Sequence, residues 1–201
     1  EILTDLRRDT PMSRLLQGDV GSGKTVVAAG ALFAVVGDGW QAAMLAPTEV
    51  LAEQHAQTLR EMLQPLGVRV ELITGGVSAS GKRKIWRDVE QGEVDVVVGT
   101  HAIIQRGSRF KCLNLAIVDE QHRFGVRQRG DMRAKGYNPH LLAMTATPIP
   151  RTLALTLYGD LDISTLRELP AGRRPVKTSF VPSGRREDAY NFVRREINAG
   201  R

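Results

Sequence analysis

Short apolar and β-branched runs alternate along this chain with longer amphipathic stretches. The runs fall at residues 14–16, 42–46, 68–73, 94–98, 113–118 and 140–144. Each is too short for a helix and rich in Val, Ile, Leu or Ala, so each reads as a strand. Between them lie stretches of helical length at 25–36, 49–63 and 82–91. Within 49–63, Val50, Leu51, Gln54, Leu59, Met62 and Leu63 recur at helical spacing, and Thr48 stands where an N-cap belongs. Strands alternating with helices predict βαβ units, hence an α/β fold: a three-layer α/β/α arrangement around a mostly parallel sheet of about six or seven strands. The nearly unbroken apolar run 113–118 is expected at the centre, covered on both faces.

The pattern breaks at 169–175, LPAGRRP, where two prolines, a glycine and two arginines interrupt it. Beyond lie one apolar run, 176–181, and one helical stretch, 185–197. That is too little chain for a second core. The expected organisation is one domain over 1–169, with 170–201 as a linker and the beginning of another. Residues 1–8 start without a helix cap, so the chain reads as one domain cut at both ends from a longer polypeptide. No internal repeat or low-complexity tract is present.

Composition narrows the classes. With 42% hydrophobic and 25% charged residues over 201 positions, the chain can bury a core. No apolar stretch approaches the roughly 20 residues of a spanning helix. The opening EILTDLRRDT has no apolar segment of the kind a secretory leader needs. A single cysteine, Cys112, excludes an internal disulfide framework and suits a reducing, cytoplasmic setting. The net charge of +6 is unevenly placed: residues 1–120 carry 13 Lys and Arg against 15 Asp and Glu, and residues 121–201 carry 15 against 7. Of the 28 basic residues 22 are arginine, a side chain matched to bidentate phosphate contacts. A polyanionic partner and a merely solvated basic surface both remain open at this point.

The chemistry starts at Gly18-Asp19-Val20-Gly21-Ser22-Gly23-Lys24-Thr25, which fits GxxxxGK[ST] after an expected strand and before an expected helix. In that context glycines let backbone N–H groups wrap nucleotide phosphates, and the helix start presents its positive dipole end. Lys24 is placed to reach the terminal phosphates and Thr25 to ligate Mg²⁺. Residues 115–118 then run straight into Asp119-Glu120, bringing two carboxylates to the strand end where the phosphate loop also belongs. Asp119 is expected to hold Mg²⁺, and Glu120 to orient or deprotonate an attacking water. Alone, the pair would as readily cap the next helix.

These motifs, with DEQH at 119–122, RFGVRQR at 123–129, MTATPIPRTLALTLYGDLD at 144–162, APTEVLAEQH at 46–55 and VVGTHAII at 97–104, resemble superfamily 2 helicases over nearly the whole chain. Within that superfamily the likeness is to branch-migration DNA helicases. Transcription-repair coupling translocases share much of it, but typically carry a glutamate where this chain has Gln121.

The resemblance implies a RecA-like ATP-binding motor lobe, with ATP and Mg²⁺ as cofactors. It implies that Gln121 and His122 sense the γ-phosphate, and that Thr145 and Thr147 couple nucleotide state to DNA grip. By their own spacing, Gln121 and His122 suit a helix cap and the two threonines a strand-end turn before Pro148. Thr48 and Thr100 match DNA-contacting motifs and stand just past apolar runs, where hydroxyls and helix N-termini can hold phosphates. The implied partners are branched DNA, a second lobe supplying an arginine finger, and a wedge domain; no membrane is implied. Without those parts the 201 residues are expected to bind nucleotide, hydrolyse it slowly or not at all, and unwind nothing alone.

Two other readings stay open: a transcription-repair translocase with an RNA polymerase partner, and a nucleotide-dependent binding module without productive hydrolysis. Aromatics are only 5% and do not alternate with Arg or Lys, so contacts to DNA are expected along the backbone rather than to bases. Phe124 reads as core before base-stacking, and Arg123, Arg127, Arg129 and Arg133 do not all share one helical face. His55, His101, His122 and His140 have no metal-ligand spacing with one another or with Cys112, so no zinc site is expected.

Overall fold

A computed structural model describes residues 1–104, 109–119, 138–147, 161–167, 178 and 180–200. The chain divides into two compact units, Glu1–Leu169 and Pro170–Arg201.

The first unit is built on seven parallel strands: β1 Ser13–Gly18, β2 Gln41–Leu45, β3 Val70–Ile73, β4 Val96–Gly99, β5 Leu113–Asp119, β6 His140–Thr145 and β7 Asp162–Leu166. Their order across the sheet is β3-β4-β2-β5-β6-β1-β7. The helices are α1 Ile2–Asp5, α2 Lys24–Gly37, α3 Glu49–Leu63 and α4 Ala79–Gln91. All six expected strands form. β7 is hidden in the sequence because DISTL carries only two apolar residues, Ile163 and Leu166, three apart and without alternation.

Parallel strands need both faces covered, and side-chain alternation divides the core accordingly. One layer gathers Leu16, Ala42, Met44, Val96, Val98, Leu115, Ile117, Leu142 and Met144 under Ala28, Leu32 and Val35 of α2 and Ala52, Ala56 and Leu59 of α3. The other gathers Ala43, Leu45, Val97, Ala116, Val118 and Leu141 with Val89 of α4 and Ile103 and Ile104 of the short 3₁₀ turn His101–Ile104. Every residue of β2, β4 and β6 is buried.

Helix α3 has its expected bounds, and the Thr48 hydroxyl accepts from Leu51 N at 3.3 Å as its N-cap. Its buried stripe differs from the expected one. Ala52, Ala56, Leu59 and Leu63 face the sheet, while Val50, Gln54 and Met62 are exposed. Close helix-to-sheet packing selects small side chains, and alanines carry too little hydrophobicity to mark the stripe in a sequence. Helix α4 starts earlier than expected because Ser78 caps it, its hydroxyl accepting from Gly81 N at 3.1 Å.

A buried arginine ties the opening segment to one side of the sheet. Arg14, on β1, donates from Nε to Asp5 Oδ2 at 2.7 Å and from one terminal nitrogen to both Ser164 Oγ on β7 at 2.8 Å and Glu1 Oε2 at 3.3 Å. The Ser164 hydroxyl on Glu1, aided by Arg14, holds the Glu1 carboxyl below its ordinary pKa. Sequence alone placed no structure at residues 1–8.

In the second unit the described structure is the 3₁₀ turn Ser183–Arg185 followed by α5, Arg186–Asn198, close to the expected helical stretch. The expected apolar run 176–181 falls partly outside the described residues; of those described, Phe180 is exposed and lies in no strand. Among the described residues no helix is long and apolar enough to cross a membrane.

Candidate active site

Strand β1 brings the chain to the carboxyl edge of the sheet at Gly18, and α2 begins at Lys24. Gly23 sits at the N-cap of α2 with φ +93°, in the left-handed region that a side chain disfavours, and supplies no side-chain cap. The first-turn N–H groups of α2 therefore have no side-chain acceptor there, the arrangement that suits an anion. Gly18 is required for a different reason. A Cβ on it would stand 2.5 Å from Ser22 Oγ and 3.0 Å from Leu166 Cβ, so the loop can fold back on the strand only over a bare backbone.

Inside that curl lies an ammonium group. Lys24 Nζ donates to Gly18 O at 2.7 Å and to Asp19 O at 2.9 Å, which pins the side chain across the loop rather than out into solvent. Val20 N donates to Asp19 Oδ1 at 2.7 Å, and the Val20 side chain is exposed. The Ser22 hydroxyl is buried with no hydrogen-bond partner among the described residues. Gly21, with φ +79°, is exposed, and Thr25 is half-buried in the first turn of α2.

Asp119 ends β5. Strand register fixes its place relative to the loop: Asp119 is level with Met144 of β6, and Met144 with Leu16 of β1. The carboxylate strand and the loop strand are thus two spacings apart, about 10 Å, with β6 between them. Asp119 is not loose. His55 Nε2, from the second turn of α3, lies 2.7 Å from its Oδ2, and both side chains are largely buried. A carboxylate only accepts, so the imidazole donates from Nε2.

The intervening strand ends in Thr145, fully buried and level with Gln17 of β1. Thr145 Oγ1 accepts from Thr147 N at 3.2 Å and lies 3.0 Å from Thr147 Oγ1, the strand-end turn that spacing suggested. Thr100 follows β4, and its carbonyl accepts from Ile103 N at 3.1 Å to open the 3₁₀ turn. The described members of the expected site, Gly18 to Thr25, Asp119, Thr145, Thr147, Thr48 and Thr100, therefore share the carboxyl edge of one sheet. Glu120, Gln121 and His122 lie outside the described residues, as do Arg123, Phe124, Arg127, Arg129 and Arg133.

Two histidines acquire partners that spacing could not reveal. Besides His55, His140 at the start of β6 accepts at Nδ1 from Met12 N at 2.9 Å. Burial lowers the His140 pKa, and the nearby Asp5 carboxylate opposes this. No spacing in the sequence marks His55; its place on α3 beside the buried Ala52 and Ala56 emerges only in the fold.

Among the described residues no group of three or more His, Cys, Asp or Glu gathers as a metal cluster. One carboxylate and one hydroxyl are hard oxygen donors. They fit a cation such as Mg²⁺, which keeps most of its waters and binds largely through substrate phosphates.

The sequence profile of the DEAD/DEAH box helicases matches residues 4–156. The chain is 53% identical over its full length to the ATP-dependent DNA helicase RecG of Synechocystis sp., covering 24% of that protein, and 48% identical to RecG of Bacillus subtilis, covering 30% of it. It thus spans 24–30% of the length of these relatives. A solved structure of RecG bound to a three-way DNA junction superposes with a TM-score of 0.82 at 46% identity, covering all of this chain and 27% of that one. The helicase MrfA bound to DNA, at 19% identity and a TM-score of 0.62 over 82% of this chain and 26% of that one, shares the fold.

Proposed function

The chain belongs to the DEAD/DEAH box helicase family, and on that premise we propose that it is the ATP-binding first motor lobe of a RecG-like DNA helicase that works on branched DNA. One observation carries this reading. The glycine-rich loop, with Lys24 folded across it, and the Asp119 carboxylate stand at the same sheet edge, two strands apart, as a bound nucleoside triphosphate requires.

In this reading the backbone of Gly18, Asp19, Val20, Gly21, Ser22 and Gly23 wraps the ATP phosphates. Lys24 exchanges its two carbonyl partners for phosphate oxygens, so the ground-state contacts keep the ammonium in place until substrate arrives. Thr25 and Asp119 hold Mg²⁺, which when bound neutralises charge developing on the transferred phosphoryl group. Glu120 takes the proton of the attacking water, and Gln121 and His122 read the γ-phosphate. Thr145 and Thr147 pass that state to a backbone-gripping surface that includes Thr48 and Thr100. The boundary at 169/170 separates this lobe from the linker and start of a second lobe, and the protein works in the cytoplasm.

Titration with a fluorescent ATP analogue, with Mg²⁺ and with EDTA, tests the binding step. Steady-state ATPase of the chain with and without forked DNA tests the division of labour. The expected result is Mg²⁺-dependent binding with little turnover; absence of nucleotide binding by the wild-type chain would overturn the reading.

A further inference from the structure

We propose that His55 is a positioning residue for the Asp119 carboxylate, fixing which of its oxygens faces the phosphate loop; this rests on the assignment of Asp119 above. The two residues are 64 positions apart and on different elements, yet His55 Nε2 and Asp119 Oδ2 are 2.7 Å from each other. The contact is shielded, with 13% and 14% of the two side chains exposed. An exposed polar pair at this distance would contribute little, whereas a shielded hydrogen bond to a carboxylate is among the stronger ones.

The effect follows from how each partner is held. Asp119 ends β5, and a terminal carboxylate can turn about its last bond, presenting either oxygen or neither. His55 arises from α3 between Ala52 and Ala56, both fully buried, so its backbone is fixed by the packing of α3 on the sheet. The imidazole occupies Oδ2 and leaves Oδ1 as the oxygen free to turn toward the loop. An imidazole also has an advantage over lysine or arginine here. It can donate without carrying a positive charge, so it orients the carboxylate without cancelling the charge that attracts a cation. The same logic governs outer partners of metal-binding side chains, whose loss usually weakens metal affinity 10- to 100-fold.

The test compares wild type, His55→Leu, His55→Gln and Asp119→Asn in the 201-residue chain, reading nucleotide affinity with a fluorescent ATP analogue across a Mg²⁺ series and in EDTA, with melting temperature as the check on folding. His55→Leu keeps the volume and loses the donor. It should raise the Mg²⁺ concentration needed for half-maximal tightening about tenfold and leave affinity in EDTA unchanged. His55→Gln places an N–H near the position of Nε2 and should restore most of the effect. If His55→Leu does not fold, His55→Asn, polar but too short to reach Oδ2, should give the same rise. A lowered melting temperature with an unchanged Mg²⁺ requirement, or a glutamine variant as defective as the leucine one, would overturn the proposal. Wild type that ignores Mg²⁺, or Asp119→Asn that keeps the full Mg²⁺ response, would instead overturn the assignment of Asp119 itself.

Discussion

Gly18 and Ser22 touch across the mouth of the phosphate loop, so closely that a single added methyl on Gly18 would lie 2.5 Å from the Ser22 hydroxyl oxygen. Gly18→Ala must therefore displace the Ser22 side chain or the loop that carries it. Overpacking of this kind costs about 1–3 kcal/mol. The substitution should lower the melting temperature and weaken ATP-analogue binding together. Adding Ser22→Ala removes the nearest atom and should recover part of both losses, leaving the contact with Leu166; a double variant no better than Gly18→Ala would count against this contact as the cause.

Lys24→Ala removes an ammonium held by the Gly18 and Asp19 carbonyls. Charged hydrogen bonds contribute about 1.5–3 kcal/mol each, so loss of the phosphate contact should weaken ATP-analogue binding roughly 10- to 100-fold. Melting temperature should change little, because the two carbonyls can turn to water. Equilibrium titration and thermal unfolding of the same samples check both halves.

Arg14→Met should be destabilising, by about 2–3 kcal/mol, because it removes the two contacts on Oδ2 of the buried Asp5 carboxylate and leaves it only the exposed Arg8 on Oδ1. Asp5→Asn in the same chain should restore part of the loss, since the buried charge that Arg8 alone would have to balance is then gone. Denaturant unfolding of the single and double variants measures the coupling directly.

Stability should fall as the solution is acidified through the histidine range, and His140 should carry part of that slope. Its pKa in the folded chain lies below the ordinary 6.5, because burial disfavours the imidazolium. Below about pH 6.5 the unfolded chain takes up a proton that the folded chain still refuses, so the unfolded state gains and stability drops. The loss is complete once the pH falls below the folded pKa. At neutral pH the ring is uncharged in both states and the penalty vanishes. His140→Asn keeps an acceptor for Met12 N and removes the titration, so melting curves from pH 7 to pH 5 should be flatter for the variant than for wild type.

Much of this was legible in the linear order. Residues 113–118 are apolar but for Asn114, a pattern that suits a strand covered on both faces, and β5 is central and largely buried. The phosphate loop announces itself because its chemistry needs eight consecutive residues, so backbone and side chains are specified locally. Thr48 before an amphipathic run was enough to place a cap, since capping spans only four residues.

The rest depended on partners distant in sequence. The stripe of α3 is hidden in the sequence because its packing face is marked by Ala52 and Ala56, small because the sheet is close, rather than by Val50 and Met62, which are exposed. β7 has little apolar pattern of its own and is a strand because β1 supplies its hydrogen-bond partners. Arg14 reads as an anomaly in a strand until Asp5, Glu1 and Ser164 are brought around it. His55 had no signal of spacing at all. A motif of contiguous residues is determined by local geometry, and sequence suffices to find it. Whether Asp119 stands two strands from the loop, and which side chain holds its second oxygen, is set by strand order and helix packing, and only the tertiary structure decides these.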